Sequence, residues 1–93
     1  MIRVICVDDQ GLVRQGIVAL LKQLPNIQVV GEASSGEEAI QLSRTLSPDI
    51  VLMDIVMPGM GGLEATQRIV RQQQRTAVVA LTAYGEAPFP AQM

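Results

Sequence analysis

The sequence predicts an α/β fold, an open parallel sheet with helices on both faces. Two observations carry that reading. Four short runs, at residues 4–7, 27–30, 50–53 and 77–81, are apolar almost without a break and rich in Val and Ile. Continuous rather than alternating apolarity marks strands buried on both faces, the situation of a parallel sheet. Between the runs lie longer segments with helical spacing, so the order reads β-α-β-α-β-α-β, and right-handed crossovers place the helices on either side of the sheet.

The first run, Val4-Ile5-Cys6-Val7, leads straight into Asp8-Asp9. A helix is predicted over about 10–24, where Val13, Ile17, Leu20, Leu21 and Leu24 fall on one face and Pro25-Asn26 ends it. After the second strand, Ser35 and Glu38 have the spacing of a capping box, and a helix is predicted over about 36–46 with Ala39, Ile40 and Leu46 inward. Ser47-Pro48 stops it. The third strand ends in Asp54, and Met57-Pro58-Gly59 has the composition of a turn. Gly61-Gly62 is either a flexible turn or a close approach of backbone to something else. The third helix is predicted over about 63–73, with Leu63, Thr66, Ile69 and Val70 inward and Arg68, Arg71 and Arg75 outward. The fourth strand ends in Leu81-Thr82.

Composition narrows the class. The chain has 93 residues, 48% of them hydrophobic and 17% charged, enough for one packed domain. Tyr84 and Phe89 are the only aromatics, so the core is aliphatic. A net charge of −2 lacks the basic footprint of a nucleic-acid-binding domain, so any control of DNA falls to another domain. Cys6 is the single cysteine, which excludes an internal disulfide. The N-terminal apolar run is too short to span a membrane and lacks a signal-peptide layout, so a cytoplasmic protein without membrane attachment is expected.

Open α/β sheets gather function at the carboxyl ends of their strands. Asp8 and Asp9 end the first strand, Asp54 the third, and Thr82 the fourth. If the first and third strands are neighbours, three carboxylates converge on one crevice with a hydroxyl nearby. Such a cluster resists full ionisation, and a hard divalent cation removes the conflict. Mg²⁺ takes carboxylate oxygens and water and leaves positions for phosphate oxygens. A carboxylate beside it can attack phosphorus and carry an aspartyl-phosphate. Plainer readings stand beside these. Asp9 suits the N-cap of the following helix, Asp8 a solvated loop, Asp54 a turn acid and Thr82 a β-branched strand residue.

The stretches Val7-Asp8-Asp9-Gln10-Gly11-Leu12-Val13-Arg14, Val30-Gly31-Glu32-Ala33, Ser35-Gly36-Glu37-Glu38-Ala39, Pro48-Asp49-Ile50-Val51-Leu52-Met53-Asp54, Met57-Pro58-Gly59-Met60-Gly61-Gly62-Leu63-Glu64-Ala65-Thr66 and Leu81-Thr82 resemble, in order and spacing, response-regulator receiver domains. Within that CheY-like, flavodoxin-like family the likeness is to NarL/FixJ-type transcriptional regulators, and among those to the GacA/UvrY group. The resemblance implies the strand order 2-1-3-4. It implies Asp54 as the phosphorylated aspartate, Asp8 and Asp9 as the acidic pocket with Asp9 the more direct Mg²⁺ ligand, the backbone carbonyl of Val56 as a further ligand, and Thr82 as the switch hydroxyl. It implies a sensor histidine kinase or phosphotransfer domain as phosphodonor, and a DNA-binding output that these 93 residues do not include.

Gln10 stands where close relatives often carry His. Family domains continue through a further helix, strand and helix, with a lysine after the fifth strand that contacts the phosphoryl group. Lys22 is the only lysine here. The expectation is therefore a receiver domain over 1–93 that is incomplete at its C-terminus. A missing donor at the site would cost roughly 3 kcal/mol of transition-state stabilisation. An uncovered face near Val51 and Val79, with the fourth strand an open edge, would favour self-association as a dimer or swapped dimer. Two other functions fit the same fold: an unphosphorylated pseudo-receiver that serves as a binding module, and an aspartate-nucleophile phosphatase. The second wants another acid two residues after the nucleophile, where Val56 stands.

Overall fold

The computed structural model describes residues 1–81. In chain order the elements are β1 (Ile2–Val7), α1 (Gly11–Leu21), β2 (Ile27–Ala33), α2 (Gly36–Leu46), β3 (Ile50–Asp54), α3 (Gly61–Gln72) and β4 (Ala77–Leu81). All strand pairs are parallel, and the order across the sheet is β2-β1-β3-β4. The first and third strands are thus neighbours, with Val7 beside Met53. α1 packs on β1 and β2; α2 and α3 pack on each other, α2 against β1 and β2 and α3 against β3 and β4.

The core lies between the sheet and the α2–α3 pair. Ile5, Val7, Val51 and Met53 are fully buried there against Ala39, Ile40, Ala65 and Ile69. Each large aliphatic chain so buried stabilises the fold by about 1.5–3 kcal/mol. Strand residues of the other parity, Val4 and Cys6, are buried away from that cluster, on the side of α1 and its buried Val18.

The expectation that Val51 is exposed is corrected by this parity. Val51 points to the α2–α3 face and has no exposure, whereas Val79, its neighbour one step out of phase on β4, is 45% exposed. One residue along a strand reverses the face. The inward stripes of two helices also differ from expectation. In α1, Val18 is buried while Val13, Leu20 and the following Leu24 are exposed. In α3 the inward residues are Gly62, Ala65 and Ile69, and Leu63 and Val70 are exposed. Small residues win there because α3 lies too close to its neighbours for leucine. A Cβ on Gly36 would already meet the Ala65 side chain and the Gly61 carbonyl at 3.1 Å.

The ends of α2 are set by local chemistry. Ser35 accepts the Glu38 N–H at 3.1 Å, and the Glu38 carboxylate reaches one residue further back than a capping box requires, to the N–H and hydroxyl of Ser34. At the other end Ser47 turns left-handed at φ 46°, and the Arg3 guanidinium donates to the carbonyls of Leu46 and Ser47. Arg68, Arg71 and Arg75 point outward as expected. No helix among the described residues is long and apolar enough to cross a membrane.

Candidate functional site

The strand order brings the ends of β1 and β3 together, and with them three carboxylates. Asp8 follows β1 directly; its N–H continues the ladder to the Ala33 carbonyl at 3.0 Å. Asp54 is the last residue of β3. Oxygens of Asp8, Asp9 and Asp54 all lie within 4.8 Å of one another. Asp8 and Asp54 are buried, and Asp9 is exposed at the mouth.

The two buried acids are held alike. Asp8 Oδ1 accepts the N–H of Gln10 at 2.8 Å, and Asp54 Oδ1 accepts the N–H of Val56 at 3.2 Å. Each carboxylate fixes the backbone two residues on, the local bond that short acids favour at turns. The N-cap reading of Asp9 fails: the cap position of α1 belongs to Gln10, and no side chain fills it. Asp9 is left free to face the crevice. The solvated-loop reading of Asp8 fails as well, since Asp8 is 6% exposed.

Burial pushes the Asp54 carboxyl above its ordinary range. The Val56 N–H acts in the opposite direction, and the carboxylates of Asp8 and Asp9 push further upward. Three hard oxygen donors that disfavour one another's charge suit a small divalent cation. The described residues supply no cationic side chain to the same cluster. The guanidinium of Arg14 is spent on the Asp8 main-chain carbonyl at 2.6 Å and the Glu32 carboxylate at 3.1 Å.

The loop from β3 to α3 is tied to β4 and to the start of α3. Ile55 donates to the Leu81 carbonyl, and Gly62 donates back to the Ile55 carbonyl. Gly59 and Gly61 take positive φ, 76° and 80°. Gly62 is where the close approach occurs, and what it approaches is the Asp54–Ile55 backbone rather than a ligand. Val56 meets the site through its N–H, with its side chain half exposed. β4 ends at Leu81, paired with Asp54; Thr82 lies outside the described residues. Sequence reading passed over Arg14 and Glu32. They sit 18 positions apart, on α1 and β2, and meet because α1 packs on β2.

Known proteins resemble this chain in sequence and in fold. Residues 4–93 match the response regulator receiver domain. Response regulator GacA of Pseudomonas viridiflava is 52% identical over all 93 residues, which cover 44% of that protein. Response regulator UvrY of Escherichia coli (strain K12) is 50% identical, with 43% of its length covered. The chain therefore spans less than half the length of these relatives. Among solved structures, a LuxR-family two-component response regulator from Aurantimonas sp. SI85-9A1 superposes with a TM-score of 0.86 at 38% identity, over 90% of this chain and 60% of that one. A chain whose sequence matches the family from Val4 onward, and whose sheet order is the one that likeness implied, belongs to the response regulator receiver domain family, close to its GacA and UvrY members.

Proposed function

We propose that residues 1–93 form a phosphoacceptor receiver domain in which Asp54 takes a phosphoryl group with the help of Mg²⁺. The observation that carries this reading is the convergence of Asp8, Asp9 and Asp54 within 4.8 Å at one strand edge. Asp8, Asp9, Asp54 and the main-chain carbonyl of Val56 would hold the ion, all of them hard oxygen donors of the kind Mg²⁺ takes. Bound Mg²⁺ supplies the positive charge that lets three carboxylates and an incoming phosphoryl group share the crevice.

The chain's own residues do the rest. Asp54 must attack as a carboxylate, and its raised affinity for a proton makes neutralisation of the pocket a condition of reactivity. One Asp54 oxygen forms a bond to phosphorus while the bond from phosphorus to a donor imidazole nitrogen breaks, the electron pair leaving with the imidazole. The product is an acyl phosphate on Asp54. The Val56 N–H orients one carboxylate oxygen and so leaves the other for attack. Thr82, next after the strand residue paired with Asp54, is assigned the hydroxyl that later binds the phosphoryl group. The donor is a sensor histidine kinase or a phosphotransfer domain, and the response is read out by a DNA-binding domain elsewhere in the parent protein. The domain acts as a signalling part rather than as a turnover enzyme.

The test is intact mass after incubation with Mg²⁺ and a small acyl phosphate or phosphoramidate, with Asp54→Asn in parallel. One added phosphoryl group, absent from the variant and absent without Mg²⁺, is expected. Magnesium binding without any phosphoryl uptake would favour a pseudo-receiver instead.

A further inference from the structure

We infer that Arg14, anchored by Glu32, is a positioning residue for the acidic pocket: it fixes the peptide that carries Asp9 and thereby sets the pocket's affinity for Mg²⁺. The inference rests on the metal-binding reading above and adds a residue pair that touches neither the metal nor Asp54.

Three contacts build the case. One guanidinium nitrogen of Arg14 donates to the main-chain carbonyl of Asp8 at 2.6 Å. Its Nε donates to the Glu32 carboxylate at 3.1 Å. Asp8 Oδ1 meanwhile accepts the Gln10 N–H at 2.8 Å. The Asp8 carbonyl belongs to the peptide group that links Asp8 to Asp9. With that carbonyl held on the peptide before the Asp9 Cα and the Gln10 N–H on the peptide after it, both planes that flank Asp9 are fixed. The direction in which Asp9 leaves the backbone is fixed with it. Asp9 needs this, because it is exposed and makes no side-chain hydrogen bond among the described residues.

The bracket also crosses elements. Arg14 is on α1, Asp8 at the end of β1 and Glu32 on β2. The Arg14 side chain is 19% exposed and that of Glu32 is 42% exposed. Arg14 is thus well sheltered, and its planar fork can serve two acceptors at once, which a lysine ammonium does with far less directional control. Outer partners that orient a ligand commonly change metal affinity by roughly ten- to a hundredfold when lost.

Positioning and simple electrostatics make opposite forecasts. Arg14 is a cation near a cation site, so removing its charge should by electrostatics alone tighten Mg²⁺ binding. If Arg14 positions Asp9, removing it should weaken binding. The measurement is isothermal titration of the full chain with MgCl₂, for the unmodified protein, Arg14→Gln, Arg14→Lys, Glu32→Gln and the Arg14→Gln/Glu32→Gln pair, with thermal melts as a check on folding. Expected are a loss of roughly tenfold for Arg14→Gln, an intermediate loss for Arg14→Lys despite its kept charge, a loss for Glu32→Gln in the direction that electrostatics also forecasts, and a double variant no worse than Arg14→Gln alone. Arg14→Lys keeps the charge and loses the planar fork, so its loss remains decisive if Arg14→Gln does not fold. Unchanged or tighter binding in Arg14→Gln, or unchanged binding in Arg14→Lys, overturns the positioning role and leaves the metal site standing. No binding by the unmodified protein overturns both.

Discussion

Gly62 lies directly against the carbonyl of Asp54: a methyl group in place of its hydrogen would overlap that oxygen and the Ile55 Cα. The N-terminus of α3 is thereby seated under the end of β3, and the Gly62 N–H closes the contact on the Ile55 carbonyl at 3.1 Å. Because the obstacle is backbone, it has no rotamer by which to yield. Gly62→Ala is expected to destabilise the fold by about 2–3 kcal/mol, the upper range for overpacking, net of the gain alanine brings to a helix. Gly16 gives the contrast. It lies in α1 with nothing within 4 Å of where a Cβ would stand, so Gly16→Ala should stabilise by up to about 1 kcal/mol. Urea denaturation of both variants checks the pair, and equal effects would refute the close-contact account.

Cys6 is fully buried in β1, and burial, with Asp8 and Glu32 adding to it, pushes its thiol to about 11. At pH 8 the reactive thiolate is therefore on the order of one molecule in a thousand, and it has no access to reagent. A disulfide-exchange reagent should leave the native protein unlabelled and modify one thiol per chain once denaturant is added. Stoichiometric labelling of the native state within minutes would show that the β1 layer opens far below global unfolding.

Much of this fold was legible because strands buried on both faces read as unbroken Val and Ile, and because Ser35 and Glu38 announce the start of α2. The strand-end acids were legible for the same reason: Asp8 and Asp54 interrupt apolar runs at their carboxyl ends. What escaped was choice of face. α1 carries Leu12, Val13, Ile17, Val18, Leu20 and Leu21, apolar on nearly every side, so periodicity alone selected the stripe with Leu20 over the one with Val18. In α3 the buried positions are glycine and alanine, whose value lies in what they let approach rather than in their own area, and hydrophobicity points past them to Leu63 and Val70. Arg14 and Arg3 escaped because their partners are main-chain carbonyls, which no sequence pattern displays until the sheet order is known.

Arg3 supplies a clean separation of stability from function. A single guanidinium nitrogen donates to Leu46 O at 2.7 Å and Ser47 O at 3.0 Å, satisfying carbonyls at the end of α2 and placing a cation at the negative end of its dipole. Arg3→Met keeps the apolar stem and removes both donors, and is expected to cost about 1–2 kcal/mol. Arg3 is the second residue of β1 whereas the acidic pocket follows the strand's other end, so Mg²⁺ affinity should be unchanged. Denaturation and metal titration of the same variant check the two halves.

Asp54 should make the metal-free protein less stable as pH rises. Its carboxyl holds a proton more tightly in the folded chain than the ordinary value of 3.8, first through burial and then through the Asp8 and Asp9 carboxylates, against the Val56 N–H. The native state therefore binds more protons than the unfolded state through the window that opens near 3.8 and ends above the folded value, and stability falls across it. Below the window Asp54 is neutral in both states and contributes nothing. Above it the full penalty of a buried, repelled charge is present. Asp54→Asn keeps an acceptor for the Val56 N–H and removes the charge. In metal-free buffer the variant should melt above the unmodified protein at neutral pH, with the difference shrinking as pH falls toward 3.8. Added Mg²⁺ should reverse the order by raising the midpoint of the unmodified protein while leaving the variant nearly unmoved, since only the former gains by binding. A variant less stable than the unmodified protein at neutral pH without metal would mean that the three carboxylates do not strain one another, and the reason for placing a cation among them would be lost.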